Sequence, residues 1–277
     1  MLSKRKVFNM NELWGSNLIY NNQNGIEYIQ FKRLLEYPEL THCYTLRSGD
    51  KLNFPPIYKN ESMLKKSYKL ICDCLKLEPS NIMKPHQTHT NNVEVVNEIK
   101  ELNNVDGMIT NKANITLLTT SADCTSLIFY DPVQKVIGNA HSGWKGTLQE
   151  IGKNLVEKMI SEYNSNPKDI ICCICPCIRE CCFEVEEDVK NLFEDKFKKL
   201  KGLDEIIKKT QIINGVQKYN IDTTKINIEL LKQIGLKSDN IIDSKICTKC
   251  HPEYFHSYRV DKENSGRNAA IINMRCE

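Results

Sequence analysis

The stretch ITLLTTSADCTSLIFYDPVQKVIGNAHSGWKG, residues 115–146, decides the fold. It contains three short extended runs: Ile115 to Thr120, Thr125 to Tyr130 and Lys135 to Ala140. Their β-branched and aromatic residues suit a pleated, buried surface. Asp131-Pro132 parts the last two runs as a turn does, because proline fixes its own backbone angle and cannot donate to a strand ladder. The third run passes into the glycine-bearing turn His141-Ser142-Gly143-Trp144-Lys145-Gly146. Beyond it Ile151, Leu155, Val156, Met159 and Ile160 recur at helical spacing, which predicts an amphipathic helix over 147–163.

Working outward, residues 60–76 place Leu64, Tyr68, Ile71, Cys72 and Leu75 on one helical face, with Pro79 beyond the end. Val93 to Ile99 reads as a strand, and the apolar run Asp169 to Cys177 as a buried one. Helices are predicted over 184–201, carried by Val185, Val189, Leu192 and Phe193, and from the N-cap Asp222 to Gly235. Ile241–Ile246 and Ala269–Met274 close the chain as strands. Helices and strands alternate without a regular βαβ rhythm. The pattern predicts an α+β fold with mixed β-sheets and helices packed on the outside. No linker-like or repeated segment divides it, so residues 1–277 are expected to form a single domain.

The 277 residues carry 38 Lys and Arg against 35 Asp and Glu, a net charge of +3. That balance gives no reason to expect nucleic acid as a partner. Apolar runs are too short to span a bilayer, so no membrane partner is expected either. The basic start Met1 to Lys6 is not followed by a signal-like apolar stretch, which predicts a cytoplasmic, reducing setting. Thirteen cysteines in that setting read as thiols or metal ligands, not as a disulfide framework.

Only six histidines are present, and three features near them stand out. They are Pro85-His86-Gln87-Thr88-His89, then Ser121-Ala122-Asp123-Cys124 at a strand end, then the turn at His141. Each has an ordinary reading as a polar loop or a buried thiol. Together they offer one cysteine and two histidines, the donors zinc favours, with a fourth position open as in catalytic sites. Asp123, beside the thiol, is a candidate proton carrier.

These motifs, in order and spacing, resemble the laccase-domain or multicopper polyphenol oxidoreductase family, whose members are described as purine nucleoside phosphorylases. The resemblance includes Thr45-Leu46-Arg47-Ser48-Gly49, Asp106-Gly107, Cys181-Cys182-Phe183-Glu184-Val185, Phe255-His256-Ser257-Tyr258-Arg259 and Ser265-Gly266-Arg267. It covers the chain from about residue 40 to the C-terminus. It implies zinc ligation by His89, Cys124 and His141. It also implies phosphorolysis of adenosine, inosine, guanosine and methylthioadenosine, with deamination of adenosine. Gln87, Arg47 and Arg259 are the implied contacts to substrate or phosphate. Four positions depart from the family pattern: Thr90 replaces a glycine, Cys175-Pro176-Cys177 replaces Gly-Pro-Gly, and Ser142 replaces an alanine.

Copper is the alternative metal, but six histidines are too few for a blue-copper centre plus a trinuclear cluster. A metal-bound water accounts for deamination more directly than for phosphorolysis. Phosphorolysis asks for a phosphate dianion held by arginine or a helix N-terminus. Other readings remain open: a peptidoglycan-precursor editing hydrolase, a metal-free hydrolase using Cys124 and His141, and a zinc-dependent binding protein. Cys247-Thr248-Lys249-Cys250-His251 matches a haem-attachment pattern, but covalent haem is attached outside the cytosol; two ordinary thiols is the leading reading there, ahead of a redox dithiol or a second metal site. The cluster Cys172, Cys173, Cys175, Cys177, Cys181 and Cys182 suggests an iron–sulfur or zinc scaffold, but alternate residues on a strand face opposite sides, so these thiols cannot all converge; Cys181 or Cys182 is left as a candidate lining of the active cleft. Oligomeric state is left open.

Overall fold

In the computed structural model, which describes residues 13–56 and 59–276, the strands form two six-stranded sheets and one small sheet. The basic start at Met1 to Lys6 lies outside the described residues. Strands are numbered here in chain order. The first sheet runs β1 (Leu18–Gln23), β2 (Ile26–Phe31), β3 (Leu40–Thr45), β15 (Asn268–Met274), β7 (Thr116–Ser121), β4 (Ile82–Met83). The second runs β14 (Ile241–Asp243), β10 (Ile171–Ile174), β8 (Thr125–Asp131), β9 (Val136–Ser142), β6 (Gly107–Thr110), β5 (Val93–Val95). A third, small sheet orders β11 (Glu184–Val185), β13 (Val216–Ile221) and β12 (Ile207–Ile213). Both large sheets are mixed, with parallel pairs β4–β7, β10–β14 and β5–β6 among antiparallel ones.

Alternation along the strands explains the layering. Tyr44, Leu117 and Ala270 of the first sheet share one apolar cluster with Ile128, Ile137 and Cys173 of the second. The neighbouring residues Leu118 and Ile271 face the other way, against Leu64, Ile71, Cys72 and Leu75 of helix α1 (Glu61–Leu75). Leu127, Phe129 and Ala140 likewise turn outward. They pack on Ile151, Leu155, Val156 and Met159 of α3 (Ile151–Tyr163), which follows the short α2 (Trp144–Leu148). The result is two sheets face to face with helices outside, an α+β single-domain architecture. Strands buried on both faces read as continuous apolar runs, which is why the 115–146 stretch was so legible. Buried Asn139 stitches the sheets together. It accepts from the Thr119 hydroxyl and donates to the carbonyls of Leu117 and Ala270.

Several elements differ from expectation. The helix predicted over 147–163 starts earlier and breaks after Leu148, where Glu150 adopts a left-handed backbone with φ 60°. Its carboxylate is held there by Lys153 and Lys196. Glu184–Val185 is not helical: it pairs with Tyr219 and Asn220, and the helix α4 begins after it, at Glu187–Phe197. The strands expected at 93–99, 169–177 and 241–246 are shorter, at Val93–Val95, Ile171–Ile174 and Ile241–Asp243. Asp222 caps α5 (Thr223–Gln233) as expected, accepting from the Lys225 backbone N–H. Two hairpins, β1–β2 and β12–β13, were not anticipated. No described helix is long and apolar enough to cross a membrane.

Candidate active site

The chain crosses from the first sheet to the second between Ser121, the end of β7, and Thr125, the start of β8. Only Ala122, Asp123 and Cys124 span the crossing, so Cys124 sits on the seam. Asp123 takes a left-handed backbone with φ 82°, tolerable for aspartate but costly without support. Its two carboxylate oxygens provide that support: one accepts from the Thr248 hydroxyl and the other from the Arg259 backbone N–H, both at 2.7 Å. Antiparallel register sets His141 of β9 opposite Ser126, two residues past Cys124.

His89 comes from a loop whose shape is imposed by Asp106. That carboxylate is fully buried and accepts from the backbone N–H groups of Thr88, His89 and Thr90 and from the Thr90 hydroxyl. It also accepts from His141 Nδ1 at 2.8 Å, which leaves His141 Nε2 as that ring's remaining donor atom. These bonds hold His89 in a left-handed conformation, φ 64°. Thr90, the departure from a family glycine, is thereby accounted for, since its hydroxyl and its N–H bind the same carboxylate oxygen.

The histidine rings are 4.9 Å apart at 74°, and His89 Nε2 lies 3.9 Å from Cys124 Sγ. One donor atom from each of His89, Cys124 and His141 falls within 4.8 Å of the others. Burial opposes charge at Asp106, His141 and Cys124, yet the partners prevail. Contacts with His141 and Thr90 hold Asp106 down to about 2. Cys124 and Asp106 lift His141 to about 9, and the two imidazoles bring the Cys124 thiol down to about 6. A thiol ready to ionise beside two imidazoles, one oriented by a carboxylate, is a donor set that fits a zinc-sized cation.

The trio opens into a cavity of about 530 Å³. Trp144, Phe183 and Tyr258 supply aromatic wall, and Lys59, Lys84, Arg259 and Arg267 supply positive charge. Among the described residues lining it, Asp123 is the one carboxylate, and both its oxygens are occupied. Burial, with the Arg267 charge nearby, pushes the Lys84 ammonium down to about 8.

Gln87, expected to bind substrate, lines the cavity, but its amide is zipped to Thr120. It donates to the Thr120 carbonyl and accepts from that residue's N–H and hydroxyl. Arg259 lies over the Phe183 ring at 5.5 Å and donates to the Glu184 carbonyl. Arg47 lies outside the cavity-lining residues. Its guanidinium is tied to Asp50 and to the Pro252 carbonyl, with Asp261 at 3.8 Å, which braces the 252–261 segment. Sequence reasoning assigned no role to Asp106, Lys84 or Arg267. A charge opening the otherwise apolar strand β6 was the available signal for Asp106.

The family model described as multi-copper polyphenol oxidoreductase laccase matches residues 51–275. The chain belongs to this laccase-domain family. Among laccase-domain relatives, the purine nucleoside phosphorylase YlmD of Bacillus subtilis is 30% identical over 229 residues, 79% of this chain and 80% of that protein. The purine nucleoside phosphorylase SERP0752 of Staphylococcus epidermidis is 34% identical over 203 residues, 69% of this chain and 72% of that one. The crystal structure of hypothetical protein YfiH from Bacillus licheniformis superposes with a TM-score of 0.81 at 26% identity, over 92% of this chain and 99% of that one.

Proposed function

We propose that this laccase-domain chain is a zinc-dependent purine nucleoside phosphorylase that also deaminates adenosine, with adenosine, inosine, guanosine and methylthioadenosine as substrates. The observation that carries the reading is the opening of the His89–Cys124–His141 donor set into a cavity with aromatic and cationic walls. The phosphorylase names of the relatives support it. Zinc held by the trio would supply a Lewis acid with one coordination position left for a reactant.

The chain's own groups do the rest. Lys84, Arg259 and Arg267 bring donors and charge for a phosphate dianion into a partly desolvated wall. Trp144, Phe183 and Tyr258 offer flat apolar surfaces to a purine. Asp123 positions Arg259 through its backbone N–H. Each Asp123 oxygen accepts one donor and keeps a second lone pair, so a role as proton carrier is compatible with the two present bonds.

The copper-oxidase reading has less support. His42 accepts from the Phe31 N–H and His256 donates to the Leu52 carbonyl, both fully structural tasks. Among the described residues, the trio is the one candidate metal group containing histidine. We also propose that residues 1–277 act as one domain, since β1–β3 share a sheet with β15 and β7. All thirteen cysteines are free thiols, which suits a cytoplasmic enzyme.

The test is chromatography of adenosine incubated with the zinc-loaded protein, with and without phosphate. Adenine and ribose 1-phosphate should appear only with phosphate, inosine in both cases, and neither with Cys124→Ala. No product from zinc-loaded wild-type protein overturns the proposal.

A further inference from the structure

A second group of thiols lies outside the residues that line the cavity. Beyond β10, which ends at Ile174, the chain turns, the Cys182 and Phe183 N–H groups both donating to the Arg179 carbonyl. In a turn, unlike a strand, adjacent side chains can converge. The turn delivers Cys181 and Cys182 to the Cys-x-x-Cys turn that follows β14, Cys247-Thr248-Lys249-Cys250. The two segments are docked side by side: Cys177 pairs with Cys247, and the Thr248 N–H donates to the Cys177 carbonyl.

The four sulfurs all lie within 4.8 Å of one another. Three of the separations are 3.7 Å (Cys181–Cys182), 3.8 Å (Cys181–Cys250) and 3.5 Å (Cys182–Cys250). Zinc–thiolate bonds of about 2.3 Å in a tetrahedron put the sulfurs about 3.8 Å apart, so the cluster already has the size of a single-ion site. Cys181 and Cys250 are exposed and leave a path for entry, while Cys247 is buried at the base.

We propose that Cys181, Cys182, Cys247 and Cys250 form a second, structural zinc site with four thiolate ligands. With all four positions filled by protein it has no place for substrate, so its task is mechanical. Zinc binding deprotonates the thiols and releases their protons to solvent, with no change of oxidation state. The ion ties the turn carrying Phe183, part of the cavity wall, to the loop whose Thr248 holds Asp123. The inference rests on no part of the phosphorylase reading.

The first test uses the wild-type chain, reduced, loaded with zinc and treated with a thiol-alkylating reagent before mass spectrometry. Cys181, Cys182, Cys247 and Cys250 should be protected as a set and become reactive together on adding a chelator, while exposed Cys276 reacts in both states. The second test removes the cavity site. Cys124→Ala should retain one zinc per chain with X-ray absorption showing four sulfur neighbours at about 2.3 Å, and adding Cys250→Ser should release it. Equal alkylation of the four thiols with and without zinc overturns the proposal. So does zinc in Cys124→Ala held by nitrogen or oxygen, or a disulfide among the four in protein kept reduced. Phosphorolysis can fail while the four-thiol site is found, or succeed while it is not.

Discussion

Asp106 and His141 are joined by a 2.8 Å hydrogen bond between a fully buried carboxylate and the ring nitrogen facing away from Cys124. The same carboxylate organises the loop of His89, so one residue sets the direction of two of the three proposed ligands. Asp106→Asn keeps the size but replaces an acceptor by a donor opposite N–H groups. Zinc affinity is expected to fall about 10- to 100-fold, read by competition with a chromogenic chelator. An unchanged affinity would mean the loop holds without the charge.

Gly143 is required for space. A Cβ there would lie 2.7 Å from His89 Cδ2 and 3.1 Å from Cys124 Sγ. Gly143→Ala should therefore cost about 1–3 kcal/mol of stability and displace the ligands. Metal analysis should find the folded variant depleted of zinc relative to wild type.

Lys84 makes the proposed phosphate site sensitive to alkaline pH. With its ammonium held down to about 8, the side chain is charged below that pH and neutral above it. An anion is attracted only by the charged form, so the KM for phosphate should rise as pH is raised through 8. Lys84→Met should have a high phosphate KM at pH 7 and lose that alkaline limb. Persistence of the limb in the variant would assign it to another group.

Asp123→Asn separates bracing from proton transfer. The substituted amide cannot accept from both the Thr248 hydroxyl and the Arg259 N–H in the present geometry. A brace predicts a raised KM with zinc retained. A proton carrier predicts a collapse of kcat at unchanged KM, measured in the same steady-state assay.

Arg47→Ala should leave the phosphate KM as it is. Its bonds to Asp50 and the Pro252 carbonyl are worth about 1 kcal/mol after screening, so thermal denaturation should register the change instead. A large rise in KM would return Arg47 to the site.

The core and the trio were legible because each rests on local patterning. Strands buried on both faces announce themselves as apolar runs, and Cys124 and His141 stand where such runs end. What the sequence concealed was tertiary. Lys84 and Arg267 are 183 positions apart yet line one cavity; Arg267 falls in a motif of the resemblance without a role assigned to it, and nothing local marks Lys84. Glu184–Val185 continues a helical pattern, and only its partners on β13 make it a strand. The two hairpins are marked in the sequence by Asn24-Gly25 and Asn214-Gly215, whose positive φ values suit two-residue turns. Alternation correctly scattered Cys172, Cys173 and Cys175 between two apolar clusters, but it could not foresee the turn that gathers Cys181 and Cys182.

The placement of β15 has a consequence for biosynthesis. The last strand in chain order lies in the middle of the first sheet, between β3 and β7, which come about 230 and about 150 residues earlier in the sequence. While the chain is being made, those two strands wait with their inner edges unpaired. Such edges invite pairing with other chains. Arg267 and Asn268, at the entrance to that strand, join the cavity wall and the His256 loop only when the gap is filled. A nascent chain released before residue 268 would therefore be both inactive and prone to stick, and ribosome-stalled intermediates of this protein should depend on chaperones until that strand emerges.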